Sequence, residues 1–232
     1  MTAPTLSHQA PGTRPATSLS PAEPNRIERQ AVALSMLGFA ALFVGAQLLH
    51  PDPFAGMEPM DGAAYLAAFH DRPLLHMAHL FEFFAGALLI VLAAHFHGLT
   101  RRHHPNWALL ALVMAAAGAV MLIGNKAAIC LSASAFDTLP EAQLATLVPA
   151  LDMLITRQGN MAILNLLPLL PLGFVLFGIL LWQARALPRW QAGFVTLGSL
   201  LLVNPGVQAM NTLGALMLAI GIVPIGLSLM RG

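Results

Sequence analysis

Two histidines and a glutamate recur at intervals of three in an otherwise apolar stretch: His76, His79 and Glu82. On a helix this spacing puts all three on one face within about two turns. Imidazole titrates near neutral pH, and a carboxylate raised by burial can join it, so such a face can hold protons, an ion or a small molecule. With His50 added from a neighbouring helix, His50, His76, His79 and Glu82 make a permissive metal-ligand set for a transition metal. Two facing imidazoles, His50 with His76 or His79, would instead suit a haem.

A carboxylate as deep in an apolar run as Glu82 is too costly to leave alone and has to be protonated, hydrated or paired with a cation. Lys126 is the available partner, although a lysine near a helix end also snorkels toward the interface. Asn165 and Asn211 lie at a similar depth and complete the candidate set of His76, His79, Glu82, Lys126, Asn165 and Asn211. Asparagines at this depth commonly bond helix to helix. Ser132 and Ser134 lack any nucleophile elbow around them, and no catalytic residue is assigned.

The elements that must position these groups are long and greasy. Of 232 residues, 57% are hydrophobic and 9% charged, against roughly 25% charged in soluble domains. Apolar runs at 31–49, 74–96, 107–129, 161–182, 190–203 and 207–229 predict an all-α polytopic membrane bundle of about six helices. The fifth run, ~21 Å at helical rise, would have to tilt little, thin the bilayer or extend past its nominal ends to cross it. Residues 1–30, rich in Pro, Ser, Thr and Ala, read as a disordered tail ahead of a transmembrane domain at 31–232. Pro168, Pro171 and Pro224 predict bent helices, and Ala111, Ala115 and Ala119 a stripe along which a neighbour can approach closely.

Arginine placement gives the orientation. Arg14, Arg26, Arg29, Arg101, Arg102, Arg185, Arg189 and Arg231 fall on one side, Arg72 and Arg157 on the other. Positive residues collect on the cytoplasmic side, so both termini are expected in the cytoplasm of a cell with an inner membrane. The His50, His76 and Glu82 end of the bundle then faces outward. A net charge of +1 with scattered basic residues excludes a nucleic-acid partner and leaves the lipid bilayer, with a membrane-protein partner or a second copy as further candidates.

Two outer segments read as helical. Asp61 opens a short one carrying Tyr65, Leu66 and Phe69. Thr138-Leu139-Pro140-Glu141 fits a capping box, and Leu144, Leu147, Val148, Leu151, Leu154 and Ile155 follow at helical spacing, predicting an interfacial amphipathic helix bent at Pro149.

The stretch Ser134-Ala135-Phe136-Asp137-Thr138-Leu139-Pro140-Glu141-Ala142-Gln143-Leu144 and the turn Trp182-Gln183-Ala184-Arg185-Ala186-Leu187-Pro188-Arg189-Trp190 resemble segments of a bacterial family of six-span membrane proteins classed as a domain of unknown function. The resemblance covers residues 31–229 and implies the six-span topology while assigning no catalytic or ligand residue. Taken with the polar residues, the reading is binding or sensing of a small molecule, ion or protons in an outward-facing cavity. The alternatives are a metal- or haem-binding redox protein and a non-catalytic accessory subunit of a membrane complex.

Overall fold

The computed structural model describes residues 25–50, 61–203 and 207–231, and among these every regular element is helical. The first helix, α1 (Arg26–Leu49), begins ahead of its apolar run. Asn25 accepts from the Glu28 amide at 2.9 Å while the Glu28 carboxylate accepts from the Asn25 amide at 3.0 Å, a capping box that extends the helix back into the segment expected to be disordered. Residues 1–24, Asn204 and the Asp52 to Glu58 part of the first loop lie outside the described residues.

Next come α2 (Gly62–Phe69), capped by Asp61 as its sequence predicts, and α3 (Pro73–Thr100). After α4 (Pro105–Asn125) the chain does not stop. It widens into a π-helical turn, Lys126–Leu131, and continues as α5 (Ser132–Phe136), so one apolar rod runs well past the predicted end at 129. Beyond it α6 (Glu141–Leu144), a 3-10 turn (Ala145–Leu147) and α7 (Val148–Ile155) cross the same end of the bundle.

This crossing segment differs from the expected single capped helix. Thr138 Oγ1 donates to the Ala135 carbonyl at 2.7 Å, finishing the preceding turn, so Pro140 caps α6 with no side-chain bond. The break falls at Ala145–Leu147, before Pro149. A proline fits the first turn of a helix, where no amide is needed, so Pro149 starts α7 and does not bend it.

The fourth apolar run is also not one helix. Gly159–Leu166 winds as a 3-10 helix, and α8 (Leu169–Ala184) starts only after Pro168. Pro168 and Pro171 cannot donate to the carbonyls of Leu164 and Leu167, four residues back. Those carbonyls accept instead from the amides of Leu167 at 3.1 Å and Leu170 at 3.0 Å, each three residues on, and Leu164 accepts also from Arg157 Nη1 at 3.2 Å. Arg185 closes α8 in the left-handed region at φ 51°, and Arg189 stacks over Trp182 at 5.8 Å, opening α9 (Arg189–Leu202) behind Pro188. The last helix, α10 (Gln208–Arg231), carries Pro224 without interruption.

Six of these helices form a closed ring in chain order. Helix α1 packs on α3, α3 on α4, α4 on α8, α8 on α9 and α9 on α10, and α10 returns to α1. Neighbours run antiparallel. Backbones meet at small residues: a Cβ on Gly173 would fall 2.6 Å from the Ala115 nitrogen and 2.9 Å from the Ala111 carbonyl, so α8 lies on α4 at these two alanines, while the buried Ala119 faces Gly86 of α3. Outside the ring large apolar side chains are bare, among them Val113 on α4, Leu197 on α9 and Leu213 on α10, each more than half exposed. Such a surface belongs in hydrocarbon, and the chain is a membrane protein.

Among the described residues five segments are long and apolar enough to span a membrane: Arg26–Leu49, Pro73–Thr100, Pro105–Phe136, Gly159–Ala184 and Gln208–Arg231. At 14 residues α9 is shorter than these, yet it holds a full place in the ring between α8 and α10. The seven described arginines of the basic side, Arg26, Arg29, Arg101, Arg102, Arg185, Arg189 and Arg231, gather at the end where α1, α4 and α9 start. The predicted polar residues gather at the opposite one, called the polar end below.

Candidate functional site

A chain of buried polar side chains crosses the ring at its polar end. Gln208 Nε2 on α10 donates to Gln47 Oε1 on α1 at 2.8 Å, and Gln47 Nε2 donates to Glu82 Oε1 on α3 at 2.8 Å. The second carboxylate oxygen, Oε2, pairs with Lys126 Nζ. Four segments are joined by one run of contacts. Gln47, Glu82 and Gln208 are each at most 9% exposed, and a carboxylate that buried is tolerable because both of its oxygens are occupied.

The π-helical turn explains how Lys126 arrives. It begins at Lys126, at the point where an α-helix would continue its regular rotation, and it packs against α3 beside Glu82. Single π turns often occur at functional positions in helices because they redirect side chains at the cost of regular hydrogen bonding.

Next to this pair lies a cavity of about 530 Å³ inside the ring, within the ~300–1,000 Å³ typical of small-molecule sites. Its polar wall includes Gln47, Glu82, Asn125, Lys126, Arg157, Asn165, Ser199 and Asn211, and its apolar wall includes Phe39, Leu89, Leu92, Phe174, Leu218 and Ile222. Below Phe174 the ring is filled by Phe96 and Phe177, with the three rings 6.0–6.1 Å apart in edge-to-face contact. The cavity therefore has an aromatic floor and does not run through the bundle.

Of the six residues singled out by sequence, Glu82, Lys126, Asn165 and Asn211 line this cavity. His76 and His79 do not. His76 Nε2 lies 2.9 Å from Asp137 Oδ2, and the His79 ring is stacked on Phe69 at 5.3 Å and meets His50 edge-on at 5.4 Å. The proposed metal set is thus not assembled: Glu82 turns to Lys126, His76 to Asp137, and only His50 and His79 touch. Their direct ring contact also leaves no gap for a macrocycle between them. Among the described residues the group whose donor atoms come within 4.8 Å of one another is a different one, His70, Asp71 and Asp137.

Asp137 gathers the loops at this end. Oδ1 accepts from His70 Nδ1 at 3.0 Å and from the Asp71 amide at 3.1 Å, and Oδ2 accepts from His76. An ionised carboxylate only accepts, so each imidazole nitrogen facing it carries its proton. Partial burial acts to raise the Asp137 pKa, but the Asp71 amide, the His76 charge and the two imidazole hydrogen bonds outweigh it and hold the carboxyl below its ordinary range. The sign follows: with a depressed folded pKa, the stability Asp137 contributes is complete above the ordinary carboxylate value and is lost as pH falls through the depressed one. Asp137→Asn is expected to lower the melting temperature at pH 7 and to meet the wild-type curve on acidification below pH ~4. Melting temperatures that differ equally at every pH would rule this out.

A second small core holds the crossing helices to the ring: Tyr65, Ile129, Cys130, Ala133, Leu151 and Leu164. Tyr65 donates its hydroxyl to the Ile129 carbonyl at 3.2 Å, and burial, with Cys130 beside it, pushes its phenol pKa up. Gly62 donates its amide to Asp152 Oδ1, which fastens α2 to α7.

Sequence reasoning missed Gln47, His70, Asp137 and Ser199. For Gln47 a signal existed, since an amide one turn before the end of an apolar run must find a partner. Ser199, 1% exposed with an unbonded hydroxyl, carried none, because serine is ordinary in membrane helices.

No curated protein and no solved structure matches this chain. One family model does, and it covers residues 31–230, the whole helical ring apart from the first turns of α1 and the last residue of α10. With that match lying over a bundle of apolar helices, the chain belongs to the family described as Domain of unknown function (DUF4386).

Proposed function

We propose that this protein binds a small molecule in a cavity that opens on the extracytoplasmic side of the inner membrane, with six spans and both termini in the cytoplasm. The observation that carries the reading is the cavity itself: about 530 Å³ at the polar end of a closed ring, walled on one side by a paired carboxylate and ammonium and shut beneath by Phe96, Phe174 and Phe177. A polar passage through the bilayer would be needed for conduction, and an aromatic plug opposes one. A pocket with convergent polar groups and a closed floor suits capture or sensing.

The orientation rests on the arginine asymmetry, and labelling tests it. Ala67 is exposed on α2 at the polar end. In a Cys130→Ser background, Ala67→Cys should react with a membrane-impermeant maleimide added to intact cells whose outer barrier has been opened. Labelling only after the inner membrane is breached would reverse the topology and remove the outward cavity.

The cavity is tested by filling it. Asn211→Trp places an indole in the polar wall. Compounds that raise the melting temperature of the purified wild-type protein in a thermal-shift screen should lose that effect on the variant. Equal shifts in both proteins would mean that binding occurs elsewhere.

A further inference from the structure

We propose that the ligand of this cavity is an amphiphile with an anionic head, the head held by Arg157 and by the Ser199 hydroxyl, and one hydrocarbon chain lodged toward Phe174. The inference rests on the binding reading above and names the chemistry that would be bound.

Polarity along the wall is graded. Following α3 inward, the lining changes from Glu82 to Leu89 and Leu92, and ten residues of helix cover ~15 Å. That is about half of a hydrocarbon core ~30 Å thick, the length available to one chain of a single leaflet. On α10 the lining changes in the same sense, from Asn211 to Leu218 and Ile222. A small polar solute would leave the lower half of the cavity facing nothing it could bind. A purely apolar one would leave the upper half dry and its polar groups unmatched.

Charge selects the head. Glu82 and Lys126 neutralise each other. Arg157 bonds through Nη1 to the Leu164 carbonyl and to Asn165 Oδ1 at 2.8 Å, and among the described residues it has no carboxylate partner. A guanidinium has five N–H groups and no acceptor, so the donors left over suit a carboxylate or phosphate. Counting the described residues, the cavity wall is therefore net positive at its polar end.

Two buried groups lack partners there. Ser199 Oγ and Asn125 Oδ1 make no hydrogen bond. Hydroxyls in a helix normally donate to the carbonyl four residues back, as Thr196 does to Ala192 at 2.9 Å and Thr212 to Gln208 at 3.0 Å on the same two helices, α9 and α10. Ser199, 1% exposed and on the cavity wall, does not. A buried polar atom without a partner is costly, and an anionic head would relieve Ser199 by accepting from its hydroxyl; Asn125 Oδ1 is itself an acceptor and gains nothing from such a head.

The test uses the full chain in nanodiscs of neutral lipid, with dodecanoate, glycerol monododecanoate and acetate as probes and displacement of a fluorescent fatty acid as readout. Wild type should bind dodecanoate saturably and acetate not at all. Arg157→Gln should weaken dodecanoate about tenfold or more, the loss of one charged hydrogen-bonded contact, and leave glycerol monododecanoate unchanged. Leu89→Phe should weaken both long-chain probes, and Leu202→Trp, at a half-buried wall position, replaces it if that variant misfolds. Adding phosphatidylglycerol to the nanodiscs separates the sources: competition assigns the head to a bilayer lipid, and its absence to a free amphiphile, either of which sustains the proposal. Affinity indifferent to head charge and to Arg157 would overturn the anionic head but leave the cavity reading standing. Long-chain binding untouched by both wall variants would overturn the cavity reading as well.

Discussion

Lys126→Met is expected to cost about 3–5 kcal/mol of stability, the penalty typical of breaking a buried ion pair from one side. The size follows from what is left behind. Glu82 stays buried, one oxygen still accepting from Gln47, the other facing the methionine side chain with no cation. The double variant Glu82→Gln with Lys126→Met removes both charges and keeps an acceptor for Gln47, so most of the loss should be regained. Equilibrium unfolding of the four proteins in one detergent measures the coupling. Lys126→Met as stable as wild type would show that the pair holds nothing together.

Gly118→Ala should be nearly as damaging, although it adds a single methyl group. A Cβ at Gly118 would lie 2.1 Å from the Leu170 nitrogen and 2.5 Å from its Cα, and backbone cannot step aside as a flexible side-chain end can. Overpacking of this kind costs about 1–3 kcal/mol and occasionally more. Here the methyl would separate α4 from α8 at the foot of the proline-broken segment, so the upper end of that range is expected. The cavity wall formed by Leu170 and Pro171 would shift with it. Gly98→Ala is the control: nothing lies within 4 Å of its added Cβ, and replacing this glycine in the last turn of α3 should gain stability, by no more than the ~0.5–1 kcal/mol of a mid-helix position. Melting temperatures of the two variants should move in opposite directions; movement in the same direction would refute the close-contact explanation.

That the chain would be an all-helical bundle was legible because apolar runs of bilayer length leave few other structures open to it. The short α2 was legible from Asp61, and the close approach of α4 from its alanines. The π turn was not, since Lys126-Ala127-Ala128-Ile129-Cys130-Leu131 contains nothing that ordinary helix would refuse. The 3-10 segment before α8 was half legible: the prolines announced a break, but its form depended on which amides would reach the abandoned carbonyls. At the site, residue type marked Glu82 as a carboxylate in need of a partner and offered Lys126 as one candidate, and the two are paired. Spacing on one helix did not decide what His76 and His79 would face. That depended on Asp137, sixty-one positions after His76 and brought near it only by the fold.

A ring whose members follow one another in chain order also has a seam, and only the last helix can close it. While the polypeptide is being synthesised and inserted, α1 and α3 are expected to pair early and give Glu82 its amide partner from Gln47. The ammonium of Lys126 follows with the end of α4, whereas Gln47 waits for Gln208 until α10 has entered the bilayer. Before then the future cavity is an open trough facing lipid between α9 and α1. Acyl chains have access to it during biogenesis even if the finished ring admits them only from the polar end.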